Sequence, residues 1–179
     1  MPKPKQLART VIYENRWVNL YVDKVELPGG RIIDQHHLLD FGFEASAAII
    51  RNEREDILLV QAYRYVTDSL EWEIPAGGIE PGESIIEAAR REAHEEAGYD
   101  TTDHELIYTY YPMNGMANKV FHLVRCRATD NLGEFDPNEI KAVHWFSQTE
   151  IKEMLATRQL RDGYTLTGLL LELSRFSGA

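Results

Sequence analysis

One short segment near the middle of the chain constrains the fold most, because it marks both ends of a helix and one of its faces. A helix is predicted over residues 84–97, since Ser84 and Glu87 form an N-terminal capping box and Gly98 stands at the usual stop position. One row of positions four residues apart is apolar and consists of Ile85, Ala89, Ala93 and Ala97. Because these side chains are small, the row is expected to pack closely against a sheet.

Strand patterns on both sides of this helix supply the expected sheet. Runs of apolar, β-branched and aromatic residues bounded by turn residues predict strands at 9–13, 16–27, 31–39, 44–50, 56–63, 71–74, 105–111, 119–128 and 142–146. Two more helices are predicted over 147–157 and 164–176, the last with Leu166, Leu169, Leu170 and Leu173 inward. The element order predicts an α/β (α+β) fold, a mixed sheet with helices on both faces.

Composition excludes several classes of protein. The formal net charge of −10 opposes nonspecific binding to nucleic acid. No apolar run reaches the roughly 18 residues that a membrane span needs, so no membrane partner is expected. The single cysteine, Cys126, excludes an internal disulfide or a cysteine-based zinc site and is interpreted as a small core residue. With a polar N-terminus that lacks an apolar signal core, these features predict a cytoplasmic location.

The negative charge is concentrated around the predicted helix. Residues 77–100 contain seven acidic residues and two arginines. Glu92 and Glu96 lie one turn apart in a row that contains no basic residue, and a hard cation such as Mg²⁺ would relieve their repulsion. The glycine-rich loop that precedes the helix can bring backbone carbonyls to the same ion. The alternative is a solvated acidic helix face.

The spacing of seven residues in this segment is far more specific than the charge cluster. They are Gly77, Glu83, Arg91, Glu92, Glu95, Glu96 and Gly98. At about 6–7% usage for each residue type, such a match has odds on the order of one in 10⁸ per start position. The segment resembles the signature of the Nudix hydrolases, with Ala93 where that family usually has a larger aliphatic residue. The resemblance implies an α/β/α sandwich.

The flanking segments narrow the resemblance to one branch. Residues 61–65 (Gln-Ala-Tyr-Arg-Tyr), residues 71–80 and the Leu-Pro-Gly-Gly turn at 27–30 are similar to the ADP-ribose pyrophosphatase-like, or nucleoside diphosphate sugar hydrolase, branch. This branch implies a homodimer built through the N-terminal strands. Residues 1–43 are therefore expected to be a dimerisation element formed by an antiparallel strand extension, and residues 44–179 the hydrolase domain.

The same resemblance implies a metal site. Glu92 and Glu96 match the metal-binding glutamates, and the carbonyl of Ala76 matches a backbone ligand. Glu95 matches a position that reaches a metal in some members, and an ion pair with Arg91 is its alternative role. The implied ion is Mg²⁺, with Mn²⁺ as an alternative. Glu83 and Arg91 match a pair that holds the loop to the helix.

The resemblance to this branch also implies a catalytic base in a loop after this helix. Glu139 is the best positional match, and Glu134 is the alternative. A carboxylate there would take the proton of the attacking water. Glu95 is the third candidate, so the expected catalytic glutamates are Glu139, Glu95, Glu92 and Glu96.

Substrate contacts are expected from several segments. Arg64 and Glu73 match positions near the substrate, and a guanidinium suits phosphate oxygens because it binds two at once. Residues 110–115 resemble a proline-glycine substrate loop, with Pro112 in it, although the loop comes early and Asn118-Lys119 replaces an acidic residue. Stacking on the base is expected from an aromatic residue. The candidates are Trp17, Tyr21 and Trp72, each with a core or interface position as the alternative.

Together these features predict a metal-dependent hydrolase that splits a nucleoside diphosphate sugar, with ADP-ribose giving AMP and ribose 5-phosphate as the leading reaction. Another diphosphate-linked substrate, such as GDP-mannose or a dinucleotide, is the alternative within enzymes. A non-catalytic nucleotide-sugar sensor is the alternative outside them. Since Arg91, Glu92, Glu95 and Glu96 are all present, the enzyme is favoured.

Overall fold

The computed structural model describes residues 1–176 and contains strands and helices in a mixed order. The strands are β1 (Lys5–Tyr13), β2 (Asn19–Glu26), β3 (Ile32–Asp40), β4 (Ala45–Arg51), β5 (Ile57–Arg64), β6 (Ser69–Glu73), β7 (Ala76–Gly78), β8 (Tyr99–Tyr110), β9 (Phe121–Asn131) and β10 (Ile140–Phe146). The helices are α1 (Ile85–Ala97), α2 (Gln148–Ala156) and α3 (Gly163–Phe176). The predicted mixed α+β class is confirmed.

The chain divides into two compact units. One contains Met1–Glu44 and Tyr111–Val120, and the other contains Ala45–Tyr110 and the chain from Phe121 onward. Residues 111–120 therefore belong with the N-terminal strands, although they lie beyond the expected boundary between residues 43 and 44.

The N-terminal unit is built on an antiparallel sheet with the order β1-β2-β3. The predicted turn between β2 and β3 closes with a hydrogen bond of 2.8 Å from the Gly30 N–H to the Leu27 carbonyl, and Gly30 has a φ of 80°. Residues 111–120 attach at the end of β3, where the Leu39 N–H donates to the Met116 carbonyl at 2.8 Å. The Lys119 ammonium donates to the Phe43 carbonyl at 3.1 Å and lies 4.0 Å from the centre of the Phe43 ring.

The second unit is built on a mixed sheet of seven strands. Five of them follow the order β10-β5-β4-β9-β8, while β6 pairs with β5 and β7 pairs with β4. β4 runs parallel to β9, and the other pairs are antiparallel. β4 is buried over residues 45–50, as expected for a central strand that is covered on both faces.

Helices cover both faces of this sheet. α1 packs Ala89, Ala93 and Ala97 on one face, against a cluster that includes Ile50 and Val124. On the opposite face, the other two helices contribute Ile151, Met154, Leu169 and Leu173 to a second cluster around Ile49 and Leu123. The α/β/α sandwich and the inward row of small residues on α1 are confirmed.

Two sequence-based expectations for the later elements are wrong in detail. Leu170 is 55% exposed, whereas Glu172 on the same helix is only 1% exposed and is inward. The physical reason is an ion pair, because the Arg125 guanidinium of β9 donates to the Glu172 carboxylate at 2.6 Å inside the fold. β8 begins at Tyr99 rather than at residue 105, since its first residues pair with the end of β9.

Cys126 is buried on β9, as predicted, and burial raises the pKa of its thiol to about 12. Over residues 1–176, none of the helices has the length and apolar character that crossing a membrane requires.

Candidate active site

Arg91 ties the glycine-rich loop to α1. Its guanidinium donates to Glu83 at 3.0 Å and to the carbonyl of Gly78 at 2.8 Å. Glu83 in turn accepts the N–H of Glu80 at 3.0 Å. The predicted role of Glu83 and Arg91 in holding loop to helix is confirmed, and the ion pair lowers the pKa of Glu83.

Glu92 is buried directly beneath the loop. A Cβ atom at Gly77 would lie 1.9 Å from Glu92 Oε1, so no other residue fits at Gly77 while this carboxylate keeps its place. Arg91 donates to the same Oε1 at 2.6 Å. Burial nevertheless raises the pKa of Glu92. The glycine is therefore needed for close approach of the carboxylate to the backbone.

Glu96 lies one turn further along α1 and is partly buried. Its Oε2 accepts the N–H of Ala76 at 2.9 Å, which joins the end of the helix to β7. Burial raises the pKa of Glu96 to about 8, and the neighbouring charge of Glu92 adds to this rise. The structure thus brings Ala76, Glu92 and Glu96 together.

Glu95 shares the Arg91 guanidinium with Glu92, because Arg91 Nη1 donates to both carboxylates. It is exposed, and Arg91 donates to its Oε2 at 3.1 Å, which is the ion pair considered as its alternative role. Within residues 1–176, no group of three or more His, Cys, Asp or Glu side chains is arranged to hold a metal ion. A metal role for Glu95 stays a prediction that requires its side chain to leave Arg91.

The donor set at Glu92 and Glu96 fits a hard divalent cation. Loss of solvent raises the pKa of both carboxylates, and neighbouring negative charges add to the rise: Glu95 and Glu83 for Glu92, and Glu92 for Glu96. Glu96 also lies in the last turn of α1, where the helix dipole favours a positive charge. Oxygen ligands of this kind suit Mg²⁺ or Mn²⁺, and a cation here would remove the cost of ionising both groups.

The loop before β10 packs on the C-terminal end of α1. A Cβ atom at Gly98 would lie 2.5 Å from the carbonyl oxygen of Glu134, and Gly98 has a φ of 70°. The Asp136 N–H donates to the Glu95 carbonyl at 3.3 Å. Glu139 follows in a turn closed by its N–H on the Asp136 carbonyl, and its side chain is exposed. Both candidate bases, Glu134 and Glu139, therefore lie on a loop fastened to the C-terminal end of α1.

β6 contributes two buried glutamates from one face. The Glu73 carboxylate accepts Arg64 Nε at 2.9 Å and Arg64 Nη2 at 2.5 Å, a two-point ion pair. The hydrogen bonds with Glu73 raise the pKa of Arg64, and the charges of Glu96 and Asp162 raise it further. Arg64 and Glu73 thus lie within electrostatic reach of the carboxylate pair.

A second ion pair on β6 was missed by the sequence analysis. Arg161, in the connection between α2 and α3, donates through Nε and Nη2 to the buried carboxylate of Glu71. The Thr165 hydroxyl accepts the N–H of Ile74 at 3.2 Å and holds the start of α3 against the end of β6. The spacing of Glu71 and Glu73, two residues apart on a strand, could have indicated that both lie on one face. Their arginine partners could not be predicted from spacing.

Trp72 lies on the opposite side of β6 from these glutamates. Its ring meets Phe146 edge-to-face, with centroids 5.0 Å apart, and packs with the α2 side of the core. It also lines a shallow cavity with Met154 and Gln159. The structure does not bring Trp72 together with Glu73, and its role toward a substrate stays a prediction.

Three other predicted contacts belong to the N-terminal unit. Trp17 is exposed and meets Phe43 edge-to-face at 6.0 Å, and Pro112 lies in the segment attached to β3. Tyr21 is buried, with the Arg9 guanidinium 4.3 Å from its ring centre. Tyr21 therefore has the core position that was considered as its alternative role. Trp17 and Pro112 stay predicted substrate contacts.

Comparison with known proteins agrees with this geometry. The model of the NUDIX domain matches residues 43–166, and that of the nucleoside diphosphate sugar hydrolase N-terminal domain matches residues 5–39. The chain belongs to the Nudix hydrolase family.

Relatives of this Nudix hydrolase include two bacterial enzymes. One is a CMP-5'-(N-acetyl-N-hydroxy-3-aminopropyl)phosphonate hydrolase of Streptomyces rubellomurinus, 31% identical over 91% of this chain and 79% of the relative. Another is an ADP-ribose pyrophosphatase of Bacillus subtilis, 27% identical over 90% of this chain and 88% of the relative.

The solved structure of an ADP compounds hydrolase shares the fold. It superposes with a TM-score of 0.85 at 20% identity and covers 99% of this chain and 96% of that chain. The Nudix hydrolase fold implied by the resemblance of residues 77–98 is thereby confirmed.

Proposed function

We propose that this Nudix hydrolase cleaves the diphosphate of a nucleoside diphosphate sugar, with ADP-ribose as the leading substrate and AMP and ribose 5-phosphate as products. The observation that carries the proposal is the pair formed by the buried Glu92 carboxylate and the partly buried Glu96 carboxylate, with the two-point Arg64–Glu73 ion pair nearby. The match of residues 5–39 to the nucleoside diphosphate sugar hydrolase N-terminal domain and the likeness to an ADP-ribose pyrophosphatase support the substrate class.

A divalent ion is part of the proposal. Glu92, Glu96 and the Ala76 carbonyl would hold it, with Glu95 as a further ligand when its ion pair with Arg91 opens. Bound Mg²⁺ or Mn²⁺ would supply positive charge for the diphosphate oxygens and make an attacking water more acidic.

The protein's own residues position and deprotonate the reactants. Glu73 orients the Arg64 guanidinium through Nε and Nη2, and Nη1, which has no hydrogen bond to any of residues 1–176, can donate to a phosphate oxygen. Glu139 takes the proton of the attacking water, whose oxygen then forms the new bond to phosphorus as the bridging P–O bond breaks. The second phosphate leaves with the bridging oxygen.

The substrate assignment is tested by a panel of nucleotide sugars with Mg²⁺, followed by phosphatase and phosphate detection. The panel contains ADP-ribose, GDP-mannose, a dinucleotide and a cytidine diphosphate compound, the last because one relative acts on a CMP-linked phosphonate. We expect the highest kcat/KM for ADP-ribose, with AMP as a product. A higher value for another member would reassign the substrate, and no hydrolysis of any member would favour a sensor.

We also propose that residues 1–43 form a dimerisation element. β1 is exposed along its whole length and carries Leu7, Val11, Ile12 and Tyr13, each about half exposed. A strand of this kind is usually covered by a partner. Light scattering at micromolar concentration is expected to give twice the chain mass of 20.6 kDa. Ile12→Asp should shift the species toward the monomer, and a wild-type monomer would refute the proposal.

A further inference from the structure

β6 displays two matching ion pairs side by side. Glu71 and Glu73 are both 6% exposed, and because they are two residues apart on a strand they lie on the same face, with backbones about 7 Å apart. Each buried carboxylate is held by an arginine that is largely exposed, Arg161 on Glu71 and Arg64 on Glu73. The buried partner therefore fixes the guanidinium, while its other edge faces solvent.

Both arginines use the same atoms for their glutamates. Nε and Nη2 donate to the carboxylate in each pair, and Nη1 of each makes no hydrogen bond within the described chain of residues 1–176. An ion pair with an exposed arginine contributes little to stability, whereas burial of a carboxylate costs desolvation free energy. A gain in stability therefore does not by itself explain two such pairs. The arrangement leaves two fixed sets of donors directed outward.

The two guanidinium groups lie on one face of β6, because the glutamates that hold them share that face. Asp162, the residue next to Arg161, is close enough to Arg64 for its charge to act on that guanidinium, and so is Glu96 of the carboxylate pair. Asp162 is itself fixed, since its carboxylate accepts the N–H of Thr165 at 2.8 Å at the start of α3. The residue that follows Arg161 is thus anchored to the start of α3.

We infer that Arg161 is a second anion-binding residue of the active site, which contacts one phosphate of the diphosphate while Arg64 contacts the other. The inference rests on the proposed diphosphate substrate. Two guanidinium groups held by glutamates about 7 Å apart along one strand can each reach a different phosphate of a diphosphate, whereas a single phosphate would engage only one of them. Glu71 acts as the positioning residue of Arg161. The pair consequently selects nucleoside diphosphates over nucleoside monophosphates.

The test is calorimetric binding of ADP and of AMP, each with Mg²⁺, to the wild type and to Arg161→Ala. We expect the Kd of ADP to rise about tenfold or more, as for loss of a charge-assisted hydrogen bond, with the Kd of AMP within about twofold. Arg161→Lys keeps the positive charge but loses the two-point geometry of the guanidinium. Its Kd for ADP should therefore lie between those of the wild type and Arg161→Ala. Lys152→Ala removes an equal charge from an exposed position of α2 and should change neither Kd.

Hydrolysis separates this inference from the proposed function. If the wild type hydrolyses no nucleotide sugar, the proposed function fails, while the ADP and AMP measurements still decide the role of Arg161. Equal weakening of ADP and AMP by Arg161→Ala would show a structural role and overturn the inference. An unchanged Kd for ADP, or a wild type that binds ADP no more tightly than AMP, would overturn it as well.

Discussion

Glu96→Gln is expected to lower kcat by about 10³-fold or more while the protein stays folded. A bound ion stabilises the transition state by several kcal/mol, and each loss of about 1.4 kcal/mol lowers the rate tenfold. The fold should persist because the amide still accepts the Ala76 N–H through its oxygen, and a partly buried, repelled charge is removed. The measurement is kcat with ADP-ribose at saturating Mg²⁺.

Two comparisons separate a lost ligand from general damage. Glu153→Gln makes the same change at an exposed position of α2 and should keep wild-type kcat. Millimolar Mg²⁺ should raise the melting temperature of the wild type by mass action, but raise that of Glu96→Gln much less. Wild-type activity in Glu96→Gln would show that the metal assignment is wrong.

The same variant has an expected signature in metal-free protein. The pKa of Glu96 is about 8 in the fold against an ordinary value of 4.5, so between these pH values the folded state holds a proton that the unfolded state has released. The free energy of unfolding should therefore fall as the pH rises from about 4.5 to about 8. Glu96→Gln should flatten this decline. For each gain of about 1 kcal/mol in the free energy of unfolding at pH 8, the melting temperature there should rise by roughly 2–4 °C. Differential scanning calorimetry in EDTA, repeated across this pH range, measures the decline in stability and the melting temperature.

Glu139→Gln is expected to lower kcat by about 10²–10⁴-fold, the usual range for loss of a general base. Metal affinity and KM should change little, because Glu92, Glu96 and Arg64 still hold the ion and the phosphate. A Mg²⁺ titration of kcat is the measurement. If Glu139 were instead a ligand, added Mg²⁺ would partly restore the rate.

Glu134→Gln is the matched comparison, since both glutamates are exposed on the loop before β10 and the change is the same. It should retain near-wild-type kcat. A loss confined to Glu134→Gln would move the base to Glu134. If neither variant loses activity, the base lies elsewhere, and Glu95 is the first residue to test.

The sequence determined α1 and its surroundings almost completely, because the forces there are local. The capping box at Ser84, the αL stop at Gly98 and the inward row of small residues follow from helix geometry, and all are present in the structure. The contact of Arg91 with Glu83 spans eight residues and was also predicted, since it depends on a loop and a helix that are adjacent in the chain.

What was wrong or missed depends on long-range pairs of charged groups. An inward Leu170 was expected from apolar periodicity, but the ion pair between Arg125 and Glu172 turned α3 so that Glu172 is buried. Periodicity treats a glutamate as polar and outward, and it contains no information on an arginine 47 residues away.

The tertiary structure alone decided which residue pairs with the buried Glu71 and where residues 111–120 belong. Arg161 reaches Glu71 across 90 positions, and residues 111–120 join the N-terminal unit through hydrogen bonds to the end of β3. Sequence spacing specifies neighbours within a helix or a hairpin, where the backbone sets the distance. Partners brought together by sheet order and by the packing of α3 are set by the whole fold, so they could be found only once β6 and the start of α3 were placed side by side.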